Sequence, residues 1–409
     1  MPLRPAVPAG RSPGTFWVAN TVELFERAAY YSIASFVVVY LNENLGMDPT
    51  FATFLNGSLL WGLLYFLPIV SGTIADQAGF RRSLLFAMAV LVGGYAVLGN
   101  VPALAPGGEV MVPVLTGIVL IGVGGSFVKP CIAGTVQRAA AAKATLGFGI
   151  FYMVINVGSV GGRVASYFVR TSYGIPALFQ YVAAAFAAIG LLVVLGAYRE
   201  PPADPGRKVR SLGEAVLGIF KVLGNARFVF FLVVISGFWC MYVQIYNLVP
   251  LYLRRFVDPN AAVELYTLAN PVLIVTLQVL VTRLAGKWRP VRSMMIGTAV
   301  AAAGMCLNIV PLYAMKDAPP LLDGALPIAG LFMVGAIGAV AIGEMLAAPR
   351  IYEYIGAIAP KGQEGLFLGY ANLPMAVGTI VGAPLGGWLF AEVGVARSDP
   401  LSIWLAVAP

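Results

Sequence analysis

Glu23-Leu24-Phe25-Glu26-Arg27-Ala28-Ala29-Tyr30-Tyr31 lies inside an apolar run from about Phe16 to Leu41, long enough to cross a bilayer as a helix. Glu23, Glu26, Arg27, Tyr30 and Tyr31 fall at i, i+3, i+4, i+7 and i+8, so they share one helical face. A charge at the bilayer centre costs about 2.5–3.5 kcal/mol on insertion scales. Three ionisable groups on one face therefore exclude lipid contact. That face must look into a polar interior, and the rest of the chain must enclose it.

The composition agrees. Of 409 residues, 59% are hydrophobic and only 11% are charged, against about 25% charged in soluble domains. The chain reads as an all-α, polytopic membrane protein with the lipid bilayer as a partner. Its net charge of +8 does not point to nucleic acid, because the basic residues cluster in short loops between apolar runs. Cys131, Cys240 and Cys306 lie in apolar stretches without metal-ligand spacing, and there is no histidine. Proton chemistry then falls to carboxylates, assisted by Lys, Arg or Tyr. With no nucleophile motif, Walker loop or dinucleotide fingerprint, neither an enzyme nor a cofactor or metal site is expected. Met1 to Gly14 is polar and Pro-rich, and shows no cleavable signal peptide.

Apolar runs fall at about 16–43, 50–75, 82–99, 110–136, 145–170 and 175–198, then at 228–253, 260–285, 292–313, 325–358 and 364–391. A last run begins near Leu401; to Pro409 it would rise only about 14 Å as a helix, so a twelfth helix is expected to be truncated. With the N-terminus inside, Arg4, Arg11, Arg81, Arg82, Arg138, Lys143, the Arg199–Arg227 cluster, Arg283, Lys287, Arg289, Arg292 and Lys361 lie on the inner side. Only Arg170, Arg254, Arg255, Lys316 and Arg397 lie outside. That asymmetry predicts a cytoplasmic N-terminus in a cell membrane, a bacterial inner membrane in particular. The expected organisation is a six-helix bundle over 1–198, a cytoplasmic basic linker over 199–227 and a second bundle over 228–409. This layout resembles the major facilitator superfamily, with two pseudo-symmetric six-helix halves. Gly72-Thr73-Ile74-Ala75-Asp76-Gln77-Ala78-Gly79-Phe80-Arg81-Arg82 is similar to that superfamily's gating loop: Gly79 makes a tight turn, and Asp76 is placed to bond a neighbouring helix end or Arg81.

Further motifs resemble the proton-coupled oligopeptide transporter family. Glu23-x-x-Glu26-Arg27 with Tyr30-Tyr31 is similar to its first-helix signature, and Phe151-Tyr152-x-x-Ile155-Asn156-x-Gly158-Ser159 to its fifth-helix signature. Phe127-x-Lys129-Pro130, Gly343-Glu344 with Pro349, and Ala359-Pro360 match other segments, as do Tyr65, Asn270-Pro271, Trp239 and Gln244. The resemblance implies that Glu23, Glu26, Arg27, Lys129 and Glu344 couple protons to transport, with a Lys129–Glu344 pair gating the two halves. It implies that Asn156 and Asn270 hold a peptide backbone, that Glu344 takes a substrate amine, and that Tyr30, Tyr31, Tyr65 and Trp239 line the pocket.

Two positions depart from the family. Ala34 stands where a first-helix arginine is usual, and Val243 where a glutamate precedes Gln244. Losing both partners of an inter-half ion pair together avoids stranding one buried charge, and one gate must then be apolar or use other residues. Arg163 and Arg350 are unexpected charges in apolar runs; either is a candidate for binding a substrate carboxylate, with Arg350 alternatively pairing with Glu353. The stretch 199–227 is also too short for the helix pair that many bacterial members carry between the halves.

The expected function is proton-coupled symport of small peptides or peptide-like solutes by alternating access, in a monomer. The alternatives are proton-coupled export of another solute or drug, and a ligand sensor that resembles a transporter but does not turn over.

Overall fold

The computed structural model describes residues 13–140, 144–202, 211–315, 327–360 and 367–408. Residues 203–210 of the expected linker lie outside the described residues, as do Arg4, Arg11, Lys143, Lys316 and Lys361 from the charge pattern.

The apolar runs fold as helices because a backbone in lipid must satisfy its own hydrogen bonds. The first, α1, runs over Pro13–Ile33 and continues after a 41° bend as Val37–Asn44. It is followed by α2 (Pro49–Ala78), α3 (Phe80–Gly99), α4 (Met111–Ala140), α5 (Ala144–Tyr173) and α6 (Leu178–Gly196). An amphipathic linker helix, α7 (Leu212–Leu223), starts with a capping box between Ser211 and Glu214. Then come α8 (Ala226–Val257), α9 (Val263–Ala285), α10 (Pro290–Tyr313), α11 (Ile328–Ile358) and α12 (Leu373–Ala396), and the chain's last helix is α13 (Pro400–Val407). Among the described residues ten helices are long and apolar enough to span, and the bent α1 makes eleven.

Helix α1 packs against α4, α5 and α6, and α3 against α4 and α6; separately, α8 packs on α12 and α11 on α9 and α10. The two groups meet along α2–α12 and α5–α9. Helices alternate in direction, so the turns at 45–48, 174–177 and 258–262 share one end of the bundle, and those at 79 and 286–289 share the other.

Sequence periodicity did not reveal how the helices deform. At the α1 bend, Phe36 N donates to Ile33 O at 2.7 Å, a tighter bond than the α-helical ladder makes, and regular bonding resumes with Tyr40 N on Phe36 O. Helix α2 widens into a π-turn over Phe54–Trp61, and α8 into another over Leu253–Val257. Such widened turns re-aim side chains and recur at functional sites. Here they lie in the half of the bundle where the two helix groups touch.

Candidate functional site: a cavity closed at one end

A cavity of about 660 Å³ runs between the two groups of helices. Tyr65, Gly72, Asp76, Lys129 and Phe148 line one wall, and Leu368, Tyr370 and Asn372 the other, with Ala215 of α7 at its edge. It reaches the end of the bundle that carries the Gly79 turn. At the opposite end the groups are joined by polar bridges.

The outermost bridges are ion pairs. Arg254 of α8 grips Glu43 of α1, with Nη2 to Oε2 at 2.7 Å and Nε to Oε1 at 2.8 Å. Arg170 of α5 meets Glu264 of α9 at 2.9 Å. Deeper in, Asn56 Nδ2 donates to Asn247 Oδ1 at 3.1 Å and Ser58 Oγ to the Ile380 carbonyl at 2.7 Å. Arg163 is wholly buried; it donates through Nε to Thr267 Oγ1 at 3.1 Å and through Nη2 to the Tyr246 hydroxyl at 3.2 Å. Its other contacts are Ser159 of its own helix and the face of Tyr31, 4.7 Å from the guanidinium carbon. Ser35, at the α1 bend, shares the Thr267 hydroxyl at 2.9 Å. Between these bridges Gly57 abuts Ala383 so closely that a Cβ on Gly57 would overlap it. Ala34 and Val243 are buried here, and the closure uses Arg170–Glu264, Arg254–Glu43 and Arg163 in their place. Arg170 and Arg254 looked like loop charges in the sequence. Their acidic partners sit on other helices, so no local spacing announced the pairs.

The first-helix signature folds as its spacing predicts. Glu23 and Glu26 are buried, and Arg27 pairs with Glu26 at 2.5 and 2.6 Å and reaches Glu23 at 3.6 Å. Neither Glu23 oxygen meets a hydrogen-bond donor. Arg27 also lies 5.5 Å from the Tyr30 ring centre, and Tyr30, Tyr31, Trp61, Tyr65 and Tyr246 form a continuous aromatic cluster. Lys129 faces the cavity in the field of Arg27, Glu23 and Glu26.

The expected Lys129–Glu344 pair is not made in this conformation. Glu344 instead accepts from Asn270 Nδ2 at 3.0 Å. The physical reason is the shape of the closure: the helix groups touch at the bridged end and part around the cavity, which keeps the two walls separate. Asn156 is engaged by its own helix, donating to the Tyr152 carbonyl at 3.0 Å. Trp239 packs on Phe238 and Tyr242.

Arg350 lies outside the cavity. It pairs with Glu353 and donates to the Ala285 and Gly286 carbonyls at 2.9 Å, which is the structural alternative the sequence allowed. Arg163 likewise faces no cavity here. In the gating loop Asp76 pairs with Arg138 of α4 at 3.5 Å, while Arg81 donates to the Tyr198 and Leu195 carbonyls at the end of α6. Glu200 caps α3 through Phe80 N at 2.7 Å and Arg81 N at 3.3 Å. Gly79 adopts φ +93° between them, a conformation that only glycine takes freely. Arg138 and Glu200 were not singled out by motif. Arg82 is exposed beside this loop.

A family model of the Major Facilitator Superfamily matches residues 22–350. The chain belongs to that superfamily. It is a multi-spanning membrane transporter with the superfamily's fold. Among curated relatives, the multidrug resistance protein MdtH of Sodalis glossinidius is 24% identical over 351 residues, covering 83% of this chain and 76% of the relative. Among solved structures, a POT family transporter in complex with 5-aminolevulinic acid superposes with a TM-score of 0.74 at 18% identity, over 96% of this chain and 93% of that one. A POT family transporter in complex with a thioalcohol-conjugated peptide gives 0.75, again at 18% identity over 96% and 93%. These structures share the fold.

Proposed function

We propose that this transporter is a proton-coupled symporter of small peptides or peptide-like solutes, held here open to the cytoplasm and closed to the outside. The observation that carries the reading is a cavity lined by both helix groups, with Lys129 on one wall in the field of the Glu23–Glu26–Arg27 cluster; a second buried carboxylate, Glu344, sits on the other helix group, bonded to Asn270. Carboxylates are the groups here that can take up and release a proton during a cycle. Glu23 suits this role because its oxygens have no donor that a proton would displace. Glu344 suits amine capture or protonation, since the group that donates to it, Asn270, is neutral.

In this reading Lys129 and Glu344 approach each other when the cytoplasmic end closes, and cargo or a proton on Glu344 decides whether they pair. Asn156, Asn270, Tyr30, Tyr31, Tyr65 and Trp239 bind cargo once that closure brings the walls together. Asp76, Arg81 and Arg82, with Arg138 and Glu200, keep the helix ends around the cytoplasmic mouth as one rigid body. The loop charges support an inside N-terminus, and a cavity complete in one chain supports a monomeric unit.

A second reading, proton-driven extrusion, draws support from the multidrug resistance relative that matches over 83% of the chain. One experiment separates the two. In proteoliposomes with an inward proton gradient, accumulation of labelled dipeptide supports symport. Absence of dipeptide flux, with gradient-driven extrusion of a preloaded cationic dye, overturns it in favour of export.

A further inference from the structure

The linker helix α7 carries three faces, where a helix lying on a protein in water needs only two. At about 100° per residue, Ala215, Gly218 and Val222 fall within about 60° of arc, and all three are buried. This face packs on the end of α2, and Tyr370, just ahead of α12, donates its hydroxyl to the Ala215 carbonyl at 2.6 Å. On a second face Leu212, Val216, Phe220 and Leu223 fall within about 80° of arc, with Leu217 about 60° further round, and all five are exposed. Leu217 and Phe220 are 67% and 69% exposed, where a helix facing water would carry polar side chains. Glu214 and Lys221 make the third face, about 20° apart, and separate the exposed apolar face from the bundle.

A contiguous apolar surface of this kind marks a docking site, and the surroundings of α7 say what docks there. The helix lies at the end of the bundle where the cavity opens, with Ala215 at the edge of the cavity. The next exposed apolar side chains along the chain, Phe230, Val233 and Val234, are on the spanning helix α8, where they meet lipid. Lys221 and Arg227 are exposed where α7 ends and α8 begins. From Arg207 to Arg227 the sequence holds five basic residues and one acid, Glu214, and that acid is spent on the helix cap, accepting from Ser211 N at 2.8 Å. Apolar side chains on one face with cations beside them describe a helix that lies in the bilayer interface.

We propose that α7 is seated in an anionic lipid leaflet at the mouth of the cavity. Its face of Leu212, Val216, Leu217, Phe220 and Leu223 dips among the acyl chains, while Lys221 and Arg227 meet lipid phosphates. The helix is held by α2 in one helix group and by Tyr370 in the other, so the leaflet anchors a strap that joins both groups beside the mouth. Assigning that leaflet to the cytoplasmic side rests on the transport reading; the seat itself does not.

The test uses the full-length chain with Cys131, Cys240 and Cys306 replaced, in nanodiscs of phosphatidylcholine and phosphatidylglycerol. Leu217→Cys and Lys221→Cys are each labelled with a fluorophore, and Phe220→Cys provides a second position on the apolar face. A nitroxide on the lipid acyl chain should quench the Leu217 and Phe220 labels severalfold more than the Lys221 label, and acrylamide in the water should do the reverse. Labels at all three positions that acrylamide quenches equally and the lipid nitroxide does not reach overturn the proposal. A Leu217 label hidden from both quenchers, with Leu217→Cys forming disulfides between copies, overturns it in favour of self-association. The headgroup is tested by the lipid that carries the nitroxide. On phosphatidylglycerol it should quench the Leu217 label severalfold more than on phosphatidylcholine, as expected beside a group of cations. Gln at Arg207, Lys208, Arg210, Lys221 and Arg227 should remove that preference. Equal quenching by the two lipids in the parent chain overturns the anionic seat. The discs expose both faces and the assay uses no cargo, so its outcome is separate from that of the uptake experiment.

Discussion

Arg170 Nη2 lies 2.9 Å from Glu264 Oε1 and joins α5 to α9 across the outer seam, where the Glu264 side chain is only 1% exposed. Removing one partner of a buried pair strands the other charge, at a cost of about 3–5 kcal/mol. Arg170→Gln should therefore lower the thermal midpoint by several degrees, and Arg170→Gln with Glu264→Gln should recover most of the loss. The Arg254–Glu43 pair is more exposed, with side chains 18% and 36% accessible, and such pairs contribute about 0–1 kcal/mol. Arg254→Gln should shift the midpoint by no more than a degree or two. Thermal unfolding of the purified variants checks both expectations.

If Glu344 carries coupling, Glu344→Gln should abolish uptake driven by a proton gradient yet retain exchange of cargo between the two sides of a liposome. Loss of both activities would make Glu344 a binding residue without a coupling role. Counterflow and gradient-driven uptake, measured on one preparation, separate these outcomes.

Gly79 and Gly93 make a matched pair. At Gly79 the backbone has φ +93° and an added Cβ would fall 2.8 Å from Glu200 Oε2, whereas at Gly93 in α3 a Cβ meets nothing within 4 Å. Gly79→Ala should cost about 1–3 kcal/mol in backbone strain. Gly93→Ala should gain up to about 1 kcal/mol from helix propensity. Midpoints moving in opposite directions would verify the turn geometry.

Arg350 tests whether an unexpected membrane arginine must be functional. Its bonds to Glu353 and to the Ala285 and Gly286 carbonyls tie α11 to the end of α9. Arg350→Ala should leave the KM for cargo unchanged while lowering the thermal midpoint. A severalfold rise in KM with an unaltered midpoint would return it to the binding site.

The fold was legible because lipid imposes simple rules: run length gave the spans, and one charged stripe from Glu23 to Tyr31 required an enclosed polar interior. The Glu23–Glu26–Arg27 contacts were legible for the same reason, since helical spacing alone brings them together. The Lys129–Glu344 contact is absent from this conformation, and sequence motifs do not say to which conformation a contact between the two halves would belong. The outer closure was hidden because its partners, Arg170 with Glu264 and Arg254 with Glu43, are separated along the chain by 94 and 211 residues. Ala34 and Val243 can make no ion pair at their positions, and nothing local in the sequence said which residues bridge the helix groups there.

The outer seam also determines how readily it can be undone. Its bridges are hydroxyls, amides and ions, set beside close apolar and aromatic contacts such as Gly57 with Ala383 and Trp61 with Tyr246. Water can take over each of those bonds as the helices part, so the net loss per hydrogen bond is only about 0.5–1.5 kcal/mol. A greasy seam of equal extent would hold in proportion to its whole area and would strand the protein in one posture. A seam that carries so many wettable bonds parts more readily than an apolar one of the same area.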